Sequence, residues 1–464
     1  MRVRLIVSIF IAISMAAPGS HLPRAAVADD EGPKELEAFQ AYLDPAPSGM
    51  DVRYAWTVPG GKGENVKIVD IEYNWNLNHN DLTGATSNTF LLVRGIDHVP
   101  DPAQNEGNIN HGTAVLGELV AADDGIGVTG IAHKARIGLV NPLTNGTTPD
   151  AVGAIERAAS SLDPGDVMLL ELSVAGPRFD PFVGRGLVPI EYDPAIFAAI
   201  KAATDAGIIV IESAGNGFDN LDHPDYGGAF NRNNRNSGAM IVGAGKPPEG
   251  GIYGSGPDRT RIEQSNYGSR VDLQGWGIFV TTCGYGDLRR EQGENNWYTI
   301  EFGFTSAATA MVAGAAAVLQ SIVKQRGRAP LTPAELRRLL VSTGTPQAGN
   351  TSQHIGPRPN LRAAIANLDS PAPDPAISRI KLKSGAKLVV DGAGFTAGDS
   401  IVEINGTAVS KMKYPAEYQF PSGETTRLTT KGDISALLPK GVEVSIVVFT
   451  PSSGKRSETF PFTR

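Results

Sequence analysis

The chain has 464 residues, 41% hydrophobic and 19% charged, which suits one large globular domain plus a small one and excludes a mostly disordered chain or a coiled coil. Its formal net charge of −8 gives no basic footprint for nucleic acid. The single cysteine, Cys283, excludes an internal disulfide and a zinc site built on several cysteines.

Arg2 and Arg4 precede an uncharged apolar run from Leu5 to Ala17, too short to span a bilayer. This is the anatomy of a secretory signal peptide over residues 1–28, with Ala26-Val27-Ala28 or a point near Ala16 as the cleavage site. A buried N-terminal helix is the other reading. No later segment reaches 18 uncharged apolar residues, so the mature chain is expected to be secreted, extracellular or periplasmic, with no membrane span. Residues 29–47 form a short N-terminal extension.

From residue 48 to 368 short apolar strands alternate with helical patterns. Strands are expected at Val66–Ile71, Arg136–Val140, Val167–Val174, Ile208–Ile211 and Met240–Val242. Helices are expected at Pro149–Leu162, at Pro194–Ala206 with Gly207 as its stop, and from the capping box Thr332-Pro333-Ala334-Glu335 to Leu340. The alternation implies an α/β, doubly wound, mostly parallel sheet, with functional residues at the carboxyl ends of its strands.

Four residues stand in places where chemistry is possible. Asp70 ends an apolar strand, where a carboxylate either caps a turn or orients a histidine. His111 opens a run of small residues, His111-Gly112-Thr113-Ala114, as a helix cap or a neutral-pH base. Asn216, in Ser213-Ala214-Gly215-Asn216-Gly217, is a turn residue or an amide donor to an oxyanion. Ser306 begins a small-residue helix, as an N-cap or as a nucleophile whose backbone N–H faces developing negative charge.

Ser370-Pro371-Ala372-Pro373-Asp374-Pro375 is a stiff linker, placed at 369–376. Beyond it the charge changes sign: residues 376–464 hold 12 Lys/Arg and 8 Asp/Glu, net +4. Leu388–Val390, Ser400–Ile404, Thr407–Val409 and Val442–Phe449 are short strands, and Asn405-Gly406 signals a hairpin. Residues 377–464 are therefore expected to form a small all-β sandwich.

Taken together, Asp70, His111, Asn216 and Ser306 follow the order found in subtilisin, Asp then His then Ser, and the chain resembles the subtilisin-like serine proteases over about residues 48–366. Val66 to Leu82 resembles the family's strand-plus-Asp motif, His111-Gly112-Thr113 its His motif, and Thr305-Ser306 its nucleophile motif. Leu172 to Gly176 resembles its substrate-binding strand and Ser213 to Asn216 its oxyanion motif. The resemblance implies a secreted endopeptidase acting on protein or peptide substrates through an acyl-enzyme. Ser306 would be nucleophile, His111 base, Asp70 its orienting acid and Asn216 an oxyanion donor. Ser173, Val174, Ala175 and Gly176, with Ser213, Ala214 and Gly215, would bind substrate as an added strand.

The sequence departs from the family at several points. Ile71-Glu72 follows Asp70 where Ser or Thr and then Gly are usual, and Ala114 replaces a second histidine. Phe304 fills the Gly position before Thr-Ser, and Ala310 fills a Pro position. These departures leave two rival readings: a catalytically impaired binding protein, or a transpeptidase or cyclase using the same triad. Ala121 to Val128 resembles the family's calcium loop, so Asp81, Ala122, Asp124, Ile126 and Val128 are candidate ligands of a structural calcium, against an ordinary acidic turn. No cofactor for catalysis is implied. The tail resembles immunoglobulin-like domains of the IPT/TIG type through Val390 to Phe395 and Val402 to Gly406, a spacer or a weak cell-surface attachment.

Overall fold

Strand β1 (Lys67–Ile71) is an unbroken run of buried side chains after its first residue, which suits a strand covered on both faces. The computed structural model describes residues 35–464 except 88, 94–101, 144–148, 233, 250–255, 369–374, 385–386, 410, 416–423 and 452. The expected signal segment and most of the linker therefore lie outside the described residues.

Around β1 the elements follow in chain order. The helical turns α1 (Val52–Ala55) and α2 (Thr83–Thr86) flank it, followed by β2 (Leu91–Val93) and the long helix α3 (Pro102–Val120). Then come β3 (Arg136–Val140), α4 (Ala151–Ala159), β4 (Val167–Leu170), the hairpin β5 (Ser173–Asp180) and β6 (Arg185–Pro189), α5 (Pro194–Asp205) and β7 (Ile209–Ser213). β8 (Met240–Gly245), β9 (Leu273–Trp276), β10 (Val280–Leu288), β11 (Tyr298–Phe302), α6 (Phe304–Gln325), α7 (Pro333–Thr343) and α8 (Leu361–Asn367) complete the unit.

Seven strands form a parallel sheet in the order β2-β3-β1-β4-β7-β8-β9. From β1 the chain crosses to the edge strand β2 and returns through β3, and from β4 it runs outward to β9, so the topological switch lies between β1 and β4. A crevice at the carboxyl ends is expected at that point. Period-two alternation divides the strands between two cores. Ile68, Leu169 and Ile211 pack with α3 and α6, whereas Val69, Met168 and Val210 pack with α4 and α5.

Several sequence expectations are met closely. α5 starts on Pro194 behind the Asp193 cap, and Gly207 follows its end at φ +86°, a conformation glycine adopts without strain. The Thr332–Glu335 capping box is formed. Two expectations are corrected. The expected strand Val167–Val174 is two: β4 stays in the sheet, and β5 leaves it to pair with β6. His111 does not open a helix; it lies in the middle of α3.

Residues 35–50, expected as an extension up to residue 47, join the α3/α6 core through Leu36, Tyr42, Leu43 and Met50. One described helix, α6, is long and apolar enough to cross a membrane, and its apolar window is wholly buried inside the protein.

The tail is antiparallel and all-β. One sheet contains β12 (Ala376–Lys383), β13 (Lys387–Thr396), β16 (Met412–Lys413) and β17 (Glu424–Thr430). The other contains β14 (Ile401–Ile404), β15 (Thr407–Ala408), β18 (Glu443–Thr450), β19 (Lys455–Arg456) and β20 (Phe460–Thr463). The Asn405-Gly406 turn joins β14 to β15 as expected. Leu388, Val390, Phe395, Val402, Ile446 and Val448 from both sheets share one apolar core.

Candidate active site

The carboxyl ends of β1, β4 and β7 bring three polar side chains into one row. Ile71 pairs with Leu170, and Leu170 with Glu212. One residue further along, that register sets Glu72 beside Glu171 and Glu171 beside Ser213. Alternation places all three on the side of α3 and α6, above Asp70, Leu169 and Ile211.

His111 meets this row from α3. Its Nδ1 lies 2.6 Å from Glu72 Oε2, and both residues are about 2% exposed or less. The other Glu72 oxygen accepts the Tyr73 N–H at 2.8 Å. The far side of the imidazole packs edge-on against Phe302, with centroids 5.4 Å apart. Gly112 permits this approach: a Cβ there would lie 2.1 Å from Asn74 O and 2.9 Å from Glu72 Cγ.

Asp70, the expected partner of His111, does not take that place. It sits within β1, one row below, and its Oδ2 accepts the Trp75 indole N–H at 2.7 Å. Burial, then the nearby Glu72 carboxylate, holds its carboxyl well above the usual range. Glu72 is the residue that sequence reasoning missed. The signal was the end of the apolar strand: Asp70 is followed by apolar Ile71, so the first side chain past the strand is Glu72.

Gly303 caps α6, which puts Ser306 in its first turn. Phe304 donates its N–H to Gly277 O, Thr305 to Asn216 Oδ1 and Ala307 to Gly303 O. Among the described residues no acceptor takes the Ser306 N–H, so it remains a first-turn donor without a partner in the helix. Asn216 Oδ1 also accepts the Thr305 hydroxyl, at 2.8 Å. Two donors on one atom fix that atom as the oxygen and turn the amide N–H₂ away from Thr305. Phe304 holds φ +61° and is 41% exposed, so the bulky residue keeps a left-handed backbone and turns its ring outward.

Of the expected substrate-binding segments, Ser173, Val174 and Ala175 pair with Pro189, Val188 and Leu187 of β6. Gly176 follows in the same strand, and no other strand among the described residues pairs with β5. The segment Ser213 to Gly215 differs. Ala214 donates to Val242 O and Gly215 to the Ser213 hydroxyl, while Asn266 donates to both carbonyls. Its ladder groups are engaged internally, so of these two segments β5 is the one left to pair with an added strand.

The two carboxylates expected to bind calcium carry hydrogen bonds within their loop. Asp81 Oδ2 accepts the Val128 N–H at 2.8 Å and Oδ1 the Tyr298 hydroxyl at 2.8 Å. Asp124 accepts the Ile126 N–H at 3.0 Å, and the Ala122 N–H is held by the Asp81 carbonyl. These hydrogen bonds close the loop, and among the described residues no group of three or more His, Cys, Asp or Glu side chains is placed to hold a metal. Burial pushes the Asp81 carboxyl up to about 7.

The subtilase family model matches residues 61–356. Subtilisin BL of Lederbergia lenta is 28% identical over 310 residues, covering 66% of this chain and 91% of that protein. The alkaline protease of Alkalihalobacillus alcalophilus is 27% identical over 354 residues, 72% of this chain and 77% of that protein. A solved protease from Pseudoalteromonas arctica aligns at 22% identity with a TM-score of 0.49, covering 72% of this chain and 99% of that one. The chain belongs to the subtilase family of serine-type endopeptidases.

Proposed function

We propose that this endopeptidase hydrolyses peptide bonds through Ser306, His111 and Glu72. Ser306 Oγ attacks the scissile carbonyl, and His111 Nε2 takes the hydroxyl proton and returns it to the leaving amine. Glu72 holds Nδ1, fixes the tautomer and stabilises the imidazolium. The Asn216 amide and the Ser306 N–H bind the oxyanion. The observation that carries this reading is the 2.6 Å contact between His111 Nδ1 and Glu72 Oε2 in a buried setting. Substrate adds as a strand to β5.

Secretion is part of the proposal and is supported by the anatomy of residues 1–28. The tail is proposed as an immunoglobulin-like spacer of the IPT/TIG type. Its net +4 gives at most a weak, salt-sensitive hold on an anionic surface.

A fluorophosphonate probe tests the chemistry. Wild-type protein is labelled and Ser306→Ala is not. A folded wild type that resists labelling overturns the proposal and leaves a binding protein built on the subtilase fold. Ligated rather than hydrolysed peptides in the product mixture identify a transpeptidase.

A further inference from the structure

Glu171 is a buried carboxyl that the hydrolysis described above leaves idle. It follows β4 directly, and the register sets it next to Glu72 on the side of α3 and α6. Neither of its carboxyl oxygens reaches solvent or closes a hydrogen bond of ordinary geometry. Ser213, next to Glu171 in the row, donates to the Thr305 hydroxyl at 2.7 Å, which brings the first turn of α6 and the Ser306 hydroxyl up to the Glu171 carboxyl.

The charged and titratable groups around it come from each packed element. β1 and its end bring Asp70 and Glu72. α3 brings Glu118, two helical turns after His111 and so on the same face; its own carboxyl is buried and unpartnered. His111 itself is engaged with Glu72. α6 carries one charged residue, Lys324, which is bound to Asp166 far down the helix. β7 brings Ser213, while Glu212 accepts from the Glu191 N–H elsewhere. Apart from Lys324, held away at Asp166, and His111 when protonated, none of these is a cation. Burial first, then the charges of Glu72 and Asp70, hold the Glu171 carboxyl well above the usual range.

We infer that Glu171 works as an un-ionised carboxylic acid whose O–H donates to Ser306 Oγ, leaving the hydroxyl hydrogen of Ser306 for His111. The inference rests on Ser306 being the nucleophile. A hydroxyl has one hydrogen and two acceptor sites, so a donor on the far side of Oγ turns its hydrogen toward the base. It also stabilises the negative charge that gathers on Oγ as the proton leaves. The ionised form does the reverse. A Glu171 carboxylate accepts the Ser306 hydrogen, draws it from His111, and adds a second anion beside Glu72.

The test is kcat and KM on a short chromogenic peptide from about pH 5 to pH 10 for wild type, Glu171→Gln and Glu171→Ala. Glu171→Ala is expected to lower kcat by at least ~10-fold with little change in KM. Glu171→Gln keeps a neutral N–H donor, so it is expected to restore most of that loss and to lack the wild type's fall in kcat at alkaline pH. The inference is overturned if folded Glu171→Ala turns over like wild type, or if Glu171→Gln keeps the same alkaline fall. If Glu171→Ala does not fold, the pH profile of Glu171→Gln decides alone. Probe labelling of wild type at Ser306 is read separately, so failure of the nucleophile assignment is distinguishable from failure of Glu171.

Discussion

Asn216 and Thr305 are joined twice, because Asn216 Oδ1 accepts both the N–H of Thr305 at 3.1 Å and its hydroxyl at 2.8 Å. The Thr305 hydroxyl also accepts from Ser213 Oγ at 2.7 Å, so the end of β7 and the first turn of α6 aim one amide together. Asn216→Ala is expected to lower kcat by about 10²–10³, the cost of losing an oxyanion donor in a serine protease. Thr305→Val is expected to cost less and to leave the fold intact. An Asn216→Ala protein with wild-type turnover would remove Asn216 from the chemistry.

Glu72 and Asp70 should separate sharply. Glu72→Gln is expected to fold and to lose on the order of 10⁴ in kcat, as when the acid of a serine-protease triad becomes an amide. Asp70→Asn keeps an oxygen for the Trp75 indole and should retain turnover within a fewfold. Parallel steady-state kinetics of the two variants decide the assignment, and the opposite ranking returns the triad to Asp70.

Phe304 at φ +61° carries backbone strain of roughly 1–2 kcal/mol for a side-chain-bearing residue. Glycine removes it and adds about 0.5–1 kcal/mol of unfolded-state entropy. Phe304→Gly is therefore expected to stabilise the protein by about 0.5–1 kcal/mol net, seen as a small rise in Tm. A fall in Tm would show that the outward ring packs usefully.

The Asp81 carboxyl sits at about 7 in the folded chain, above its unfolded value of 3.8. The native state then binds more protons than the unfolded state between those values, so stability declines as pH rises through that window. The effect is on the order of a few kcal/mol. Thermal melts from pH 4 to pH 8 should slope downward for wild type and less steeply in Asp81→Asn. By the same reasoning Asp70, Glu118 and Glu171, all raised by burial, add to the decline from their ordinary carboxyl range upward. Parallel curves for wild type and Asp81→Asn would show that Asp81 stays ionised.

The tail has a core of its own, separate from the two that flank the parallel sheet. A chain ending near residue 370 is expected to fold and to cleave a short peptide at the full-length rate. Loss of cleavage on truncation would show that the tail supports the active site.

The parallel sheet, the capped helices and the turn at Asn405-Gly406 were legible because local periodicity and cap chemistry decide them. Motif order singled out His111, Asn216 and Ser306, and the fold sets His111 against Glu72 and Asn216 against the first turn of α6 that carries Ser306. Glu72 was not, because an acid two residues upstream occupied the expected position in the motif, and only the register of β1 against β4 shows which carboxyl clears the strand. The closing of Asp81 onto Val128 and Tyr298 was equally hidden, since Tyr298 is 217 residues away in sequence.

The docked segment before α1 limits how the protein can be matured. Gln40 exchanges hydrogen bonds with both backbone groups of Thr129, Tyr42 donates to Thr281 O, and Trp276 and Arg358 donate to Ser48 O. Glu37 ties Arg53 and Thr129 together. A chain trimmed past Leu36 would lose a buried side chain from the core, and one trimmed past Tyr42 would also leave Thr129 and Thr281 with orphaned polar groups. An affinity handle therefore belongs at the other end of the chain.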